Sequence, residues 1–243
     1  MERKQIDKFV IENGVLLQYD GQSKVVEIPD GVEWIGRWAF AFNKNIETLI
    51  LPDAVTTIEE HAFVGCSNLQ DVKIGSDSRL IRLANGVFSD CVNLNEINLP
   101  DSLEIIGNSC FSNTGLKYLH FGVNSRLKTL GNRAFADCKF LVESEISSGV
   151  IYYGCCIFRG CESLQSISYM TRAFSVDEKC FDGCRMLKSI VLPEKIKYIH
   201  PNAFKDCMHL KDVYFEGTEN QWNTVKISRG NKPLKKARIH LGK

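Results

Sequence analysis

The 243-residue chain carries 30 basic and 29 acidic side chains for a net charge of +1, and 44% of its residues are hydrophobic. That balance excludes a global field favouring nucleic acid, an anionic membrane or an acidic substrate, so any electrostatic choice of partner is local. Nowhere do roughly 18 apolar residues run together, so no membrane insertion is expected.

The chain opens with charges at Glu2, Arg3, Lys4, Asp7 and Lys8 and no apolar stretch of signal-peptide length, which points to a cytoplasmic location. Phe9-Val10-Ile11-Glu12 and Val15-Leu16-Leu17-Gln18-Tyr19 then flank Asn13-Gly14, the strongest short hairpin signal. Residues 1–24 read as an N-terminal cap.

From residue 25 to residue 215 the sequence is periodic. Phenylalanine recurs at Phe40, Phe63, Phe88, Phe111, Phe135, Phe158, Phe181 and Phe204, at intervals of 23, 25, 23, 24, 23, 23 and 23 residues. Aligned on it, the columns eight residues earlier (Val32, Val55, Leu80 and onward) and five earlier (Ile35, Ile58, Leu83 and onward) are almost wholly apolar. The column just before the Phe is mostly small, as a tight coil interior requires. Three residues after it stand Cys66, Cys91, Cys138, Cys161, Cys184 and Cys207, with Asn43 and Thr114 in the other two places. Each unit closes on Leu-x-x-Ile-x-Leu-Pro, as in Leu94, Ile97, Leu99 and Pro100, whose alternation predicts a short strand with one buried face. A second extended stretch spans Val-x-x-Ile, and a compact turn or short helix spans Ala-Phe-x-x-Cys. One unit cannot enclose its own apolar side chains, so the pattern predicts a stack of eight coils of 23–25 residues. Length variation falls in turns, at Gly75-Ser76-Asp77-Ser78, Asn113-Thr114-Gly115 and Gly122-Val123-Asn124-Ser125.

After Phe215, Thr218-Glu219-Asn220-Gln221 has capping-box spacing and opens a short helix bearing Trp222 and Val225. An Asn231-Lys232-Pro233 turn precedes a last strand from Ala237 to Leu241, so residues 216–243 read as the C-terminal cap and 1–243 as a single domain. Capped ends argue against end-to-end stacking, and a monomer is expected.

The pattern Pro-x-x-Val-x-x-Ile-x-x-x-Ala-Phe-x-x-Cys-x-x-Leu-x-x-Ile-x-Leu, written in this chain from Pro52 to Ile74, resembles the BspA-type (Treponema pallidum type) leucine-rich repeat family. The resemblance extends over roughly residues 9–241, including the terminal Gln221-Trp222-Asn223 segment. It implies an α/β repeat solenoid, a right-handed leucine-rich repeat with a parallel sheet on its concave face, a hairpin at one end and a helix and strand at the other. It also implies an alternative function, cell-surface adhesion to host or matrix proteins, and with it a cell-surface location as the alternative to the cytoplasmic one expected from the N-terminus.

The ladder cysteines read as buried thiols acting as small hydrophobes, although neighbours one coil apart stand within reach of disulfide geometry. Cys110 and Cys180 fall in the small-residue column and join the core. Cys155 and Cys156 occupy columns otherwise polar or variable, which leaves at least one accessible to a redox or metal role. Adjacent cysteines with no second pair or nearby His lack tetrahedral zinc spacing. The five histidines are scattered over different columns, and no nucleophile, base and orienting acid assemble. No catalytic residue, cofactor or metal site is expected, and the chain is not read as an enzyme.

Recognition then falls to residues pointing outward from the strands. Coil by coil these are Thr48 and Ile50, Asp71 and Lys73, Glu96 and Asn98, Tyr118 and His120, Glu143 and Glu145, Ser166 and Ser168, Ser189 and Val191, and Asp212 and Tyr214. All from Asp71 onward are the expected contacts to a protein or peptide ligand. Eight strands at about 4.8 Å give a ribbon of nearly 40 Å, long enough for an ordinary protein interface. Trp34, Trp38, Phe42 and Tyr152 suggest a second patch near the first coil on the opposite face. The last 25 residues set Lys226, Arg229, Lys232, Lys235, Lys236, Arg238 and Lys243 against Glu219 alone. Nucleic-acid or phosphate binding by this basic cap is a further alternative, disfavoured because no aromatic residues interleave for base stacking.

Overall fold

The computed structural model describes residues 8–122, 124–146, 149–168 and 172–242. The charged positions from Glu2 to Asp7, and Val123 of the Gly122–Ser125 turn, lie outside the described residues. The chain winds into a parallel β-solenoid of about ten turns with little helix.

Each repeat supplies two strands. The Ile-x-Leu stretches form a long-strand ladder, running in spatial order through Val25–Glu27, Thr48–Leu51 and Asp71–Ile74, and then from Asn98–Leu99 through Tyr118–Phe121, Glu143–Glu145, Ser166–Ser168, Ser189–Leu192 and Asp212–Phe215 to Arg238–Leu241. The Val-x-x-Ile stretches form a short-strand ladder of two-residue strands, from Trp34–Ile35 through Thr57–Ile58, Arg82–Leu83, Ile105–Ile106 and Thr129–Leu130 to Tyr152–Tyr153, and again from Ser175–Val176 to Lys226–Ile227. Pairing between coils is parallel throughout, with Leu49 beside Val72 and Ile190 beside Val213 on the inward side.

The expected eight coils with separate caps become about ten because both caps are themselves coils. The hairpin forms as expected between Phe9–Glu12 and Val15–Tyr19, with φ of 49° at Asn13 and 76° at Gly14 as a tight primed turn requires. Its second strand also pairs in parallel with Trp34–Ile35. At the far end Lys226–Ile227 pairs with Tyr198–Ile199, and Arg238–Leu241 with Asp212–Phe215. A cap that continues the ladder satisfies edge N–H and C=O groups that a foreign element would leave bare. The Thr218 capping box holds a helix at Glu219–Asn223, which ends before Val225, while the expected turn at Asn231 is a second helix, Lys232–Lys236. Asn231 ends the stack: its buried Oδ1 accepts from Phe204 N–H at 2.9 Å, where each earlier Phe N–H instead finds a carbonyl of the following coil.

The eight phenylalanines stack face to face down the axis, with ring centroids 4.7 to 5.7 Å apart. Tyr19 extends the column at 4.9 Å from Phe40. One buried cluster runs from Leu16 to Leu234. The ladder cysteines are buried, and each thiol donates to the carbonyl of the preceding coil's Phe, as Cys66 Sγ to Phe40 at 3.1 Å and Cys184 Sγ to Phe158 at 3.1 Å. At Thr114, one of the two positions lacking a cysteine, the hydroxyl donates within its own coil to Phe111 at 2.9 Å.

The third side of each coil is a turn without helix. It places left-handed residues two before and two after the Phe, such as Arg133 (φ 57°) and Asp137 (φ 61°). In the first coil these places hold Trp38 and Phe42, at φ 60° and 58°, a backbone conformation unfavourable for bulky side chains. The rings lodge on the next coil: a Cβ on Gly65 would sit 2.5 Å from the Phe42 ring, and Trp38 stacks on His61 at 4.6 Å.

The short-strand ladder breaks between the coils of Tyr152–Tyr153 and Ser175–Val176. Elsewhere two successive N–H groups share one carbonyl of the preceding coil, as Ile151 and Tyr152 share that of Lys128. Here the N–H groups of Phe174 and Ser175 donate instead to the Tyr153 hydroxyl, at 3.1 and 3.4 Å. Tyr153 stands in a column otherwise filled by Ile, Leu and Val, and its length sets the hydroxyl between two strands.

Candidate functional site

Parallel register turns the outward positions of the long-strand ladder into two continuous columns. In one, Tyr118, Glu143, Ser166, Ser189 and Asp212 stand side by side on successive strands. In the other, Asn98 lies beside His120, and Ser168, Val191 and Tyr214 follow one another. Asp71, Lys73, Glu96, Asn98, Tyr118, His120, Glu143, Ser168 and Tyr214 are exposed, and Ser166, Ser189, Val191 and Asp212 half-buried, while the residues between them in each strand point inward. The side chain of Glu145 lies outside the described residues. The ribbon divides in two, because the hydrogen-bonded ladder is interrupted between Asp71–Ile74 and Asn98–Leu99, next to the enlarged Gly75–Ser78 turn. Asp71 and Lys73 therefore belong to a separate three-stranded sheet with Val25–Glu27 and Thr48–Leu51.

On the longer segment lies an open trough of about 1040 Å³. Its lining includes Tyr118 and His120 at one end, Glu143 and the short side chains of Ser166, Ser168, Ser189 and Val191 along its length, and Tyr214 at the other end. No lysine or arginine is among the described lining residues. Small residues make the floor and aromatic residues the ends.

Both ends carry a carboxylate, an imidazole and a phenol in contact. At one, His120 Nε2 lies 3.9 Å from Glu96 Oε1 and its ring stacks on Tyr118 at 6.1 Å. At the other, His240 Nε2 lies 2.7 Å from Asp212 Oδ1 and its ring stacks on Tyr214 at 4.6 Å. Sequence reasoning missed His240 and Arg238, which continue the two columns past Tyr214 and Asp212. The signal was there: Arg238-Ile239-His240-Leu241 alternates as Asp212-Val213-Tyr214-Phe215 does, but no Phe-x-x-Cys precedes it within the last coil.

The expected second patch does not assemble as a unit. Trp38 and Phe42 meet at 6.4 Å on the turn side, whereas Trp34 and Tyr152 lie on the short-strand ladder with four strands between them. The basic residues of the last coil also diverge. Arg238 joins the outward face of the long-strand ladder, while Lys226 joins the short-strand ladder with its ammonium 5.7 Å from the Tyr198 ring. Among the described residues no helix is long and apolar enough to cross a membrane.

Comparison with known proteins agrees with this architecture. The model of the BspA type leucine rich repeat region matches residues 16–140 and 119–228, in six copies. A leucine-rich repeat protein from Bacteroides ovatus superposes with a TM-score of 0.74 at 21% identity, covering 97% of this chain and 69% of its own. The Treponema pallidum leucine-rich repeat protein superposes with a TM-score of 0.62 at 23% identity, covering 93% and 97%. No curated protein matches the chain. With the family match spanning most of its residues, the chain belongs to the BspA-type leucine-rich repeat family.

Proposed function

We propose that the protein is a non-catalytic interaction scaffold that presents the outward face of its long-strand ladder to a partner protein. The observation that carries this reading is the trough, lined by eight of the fourteen residues expected from sequence to contact a ligand: Tyr118, His120, Glu143, Ser166, Ser168, Ser189, Val191 and Tyr214. At about 1040 Å³ it is open and larger than most small-molecule pockets, which run roughly 300–1,000 Å³ and enclose their ligands. Its five strands, four spacings of about 4.8 Å, make it about 20 Å long, the span of an extended segment of roughly six residues. Tyrosines held by stacked imidazoles are rigid amphipathic anchors, which bind at little entropic cost.

Filling the floor tests the reading. Ser168→Arg combined with Ser189→Arg is expected to abolish capture of partner proteins from the native organism while leaving circular dichroism and the melting temperature unchanged. Undiminished capture of every partner by this folded variant contradicts the proposal.

A further inference from the structure

Of the ten cysteines, Cys155 and Cys156 are the two that are not buried. They sit on the turn side, where the backbone around them is fully engaged. Cys155 N–H donates to Asn132 Oδ1 at 2.9 Å, its carbonyl accepts from Arg133 N–H at 2.9 Å, Cys156 N–H donates to the Glu178 carbonyl at 3.1 Å, and the Cys156 carbonyl accepts from Arg159 N–H at 3.2 Å. The first of these bonds closes an asparagine ladder, in which Asn85 and Asn108 hold the next coil's N–H in the same way, each at 2.8 Å. Cys156 is left-handed, with φ 58°, and its half-buried thiol donates to the Glu178 carbonyl at 3.6 Å, beside the half-buried Cys155. Arg133 and Lys179 occupy the place of Cys156 in the coils before and after it, and both cations favour negative charge on its sulfur.

We propose that Cys155 and Cys156 form a bidentate dithiolate site for a single soft monovalent d¹⁰ cation of the copper(I) class. Soft thiolates select such an ion. A tetrahedral divalent ion needs two further ligands, and among the described residues no group of three or more His, Cys, Asp or Glu side chains stands together to supply them. The pinned backbone disfavours the competing fate, an intramolecular disulfide. Adjacent Cα atoms stand about 3.8 Å apart across a trans peptide, below the roughly 4.4–6.8 Å that an unstrained disulfide spans. A metal bridge, with its longer bonds to sulfur, closes a wider ring without moving the main chain.

The binding step balances without redox chemistry. Two thiols each release a proton to solvent, two sulfur–copper bonds form, and the resulting bis-thiolate complex carries one negative charge. Arg133 and Lys179 flank that charge, since their present pairings with Asp137 at 3.6 Å and Glu178 at 3.4 Å are exposed and weak. Both thiol protons must leave for the two bonds to form, so uptake strengthens as pH rises and competing protons fall away.

The test is an anaerobic titration of the whole chain with copper(I) supplied as its bicinchoninate complex, which reports copper transfer by loss of colour. One ion per chain is expected to transfer to the native protein, with release of two protons, and none to Cys155→Ser or Cys156→Ser. Cys184→Ala, which removes a buried ladder thiol, is expected to leave uptake intact. Undiminished uptake by the two serine variants overturns the proposal, as does finding Cys155 and Cys156 joined as a disulfide in protein isolated under reductant.

Discussion

His240 Nε2 donates to Asp212 Oδ1 at 2.7 Å, joining the last strand of the chain to a strand 28 residues earlier. The same imidazole lies flat against Tyr214, so one hydrogen-bonded ring fixes the aromatic end of the trough. His240→Ala leaves the ladder intact, because the strand pairing is made by backbone. It frees the Tyr214 ring, and capture of a partner is expected to weaken about tenfold, or about 1.4 kcal/mol. Quantitative pull-down beside circular dichroism checks this; unchanged binding means that Tyr214 needs no support.

Tyr153 is a peg in the short-strand ladder. Tyr153→Phe keeps the ring and removes the acceptor between two coils, the hydroxyl that receives Phe174 and Ser175 N–H. Stranding those donors is expected to cost about 1–3 kcal/mol in urea unfolding and to speed amide exchange at Phe174 and Ser175 above that at Tyr198.

Ser144 stands in the inward column between Leu119 and Ile167, and its buried hydroxyl has no hydrogen-bond partner among the described residues. Ser144→Val restores the apolar column, as Val72 and Val213 fill the same place in other coils. A gain of about 1–2 kcal/mol is expected on urea unfolding. Destabilisation would show that the hydroxyl serves a need that packing does not reveal.

The thiol ladder makes stability fall in alkali. Burial pushes the Cys66 thiol up to about 12 and the Cys138 thiol up to about 11, above the roughly 8.5 of an unfolded cysteine. Between those values the unfolded chain has lost a proton that the fold retains, so unfolding becomes easier as pH rises. Below about pH 8.5 the stabilisation is complete; above it each thiol removes up to about 1.4 kcal/mol per pH unit until its folded value is reached. Urea midpoints from pH 8 to 11 are expected to decline, and Cys66→Ala with Cys138→Ala to flatten the decline.

The Phe spacing and its flanking columns made the coil, the two extended stretches and the outward positions legible, because a stacked repeat forces the same burial on the same position each time. The end coils were less legible. Tyr19 fills the Phe place at a shorter interval, and Asn231 replaces a backbone carbonyl with a side chain, so neither matches the column it completes. Trp38 and Phe42 concealed the left-handed turn positions that Gly65, Asp90, Asn113 and Asp137 otherwise announce. The Tyr153 peg and the His240 contact depend on which side chain reaches across a coil, which a column of residue types does not encode.

The trough itself is tested most directly by photocrosslinking in the native cell. A benzophenone amino acid placed at Ser168 or Tyr214 is expected to attach covalently to a partner protein, whereas one at Tyr152, exposed on the other ladder, is not. Attachment from Tyr152 with none from Ser168 or Tyr214 would contradict the assignment of the long-strand face as the binding surface.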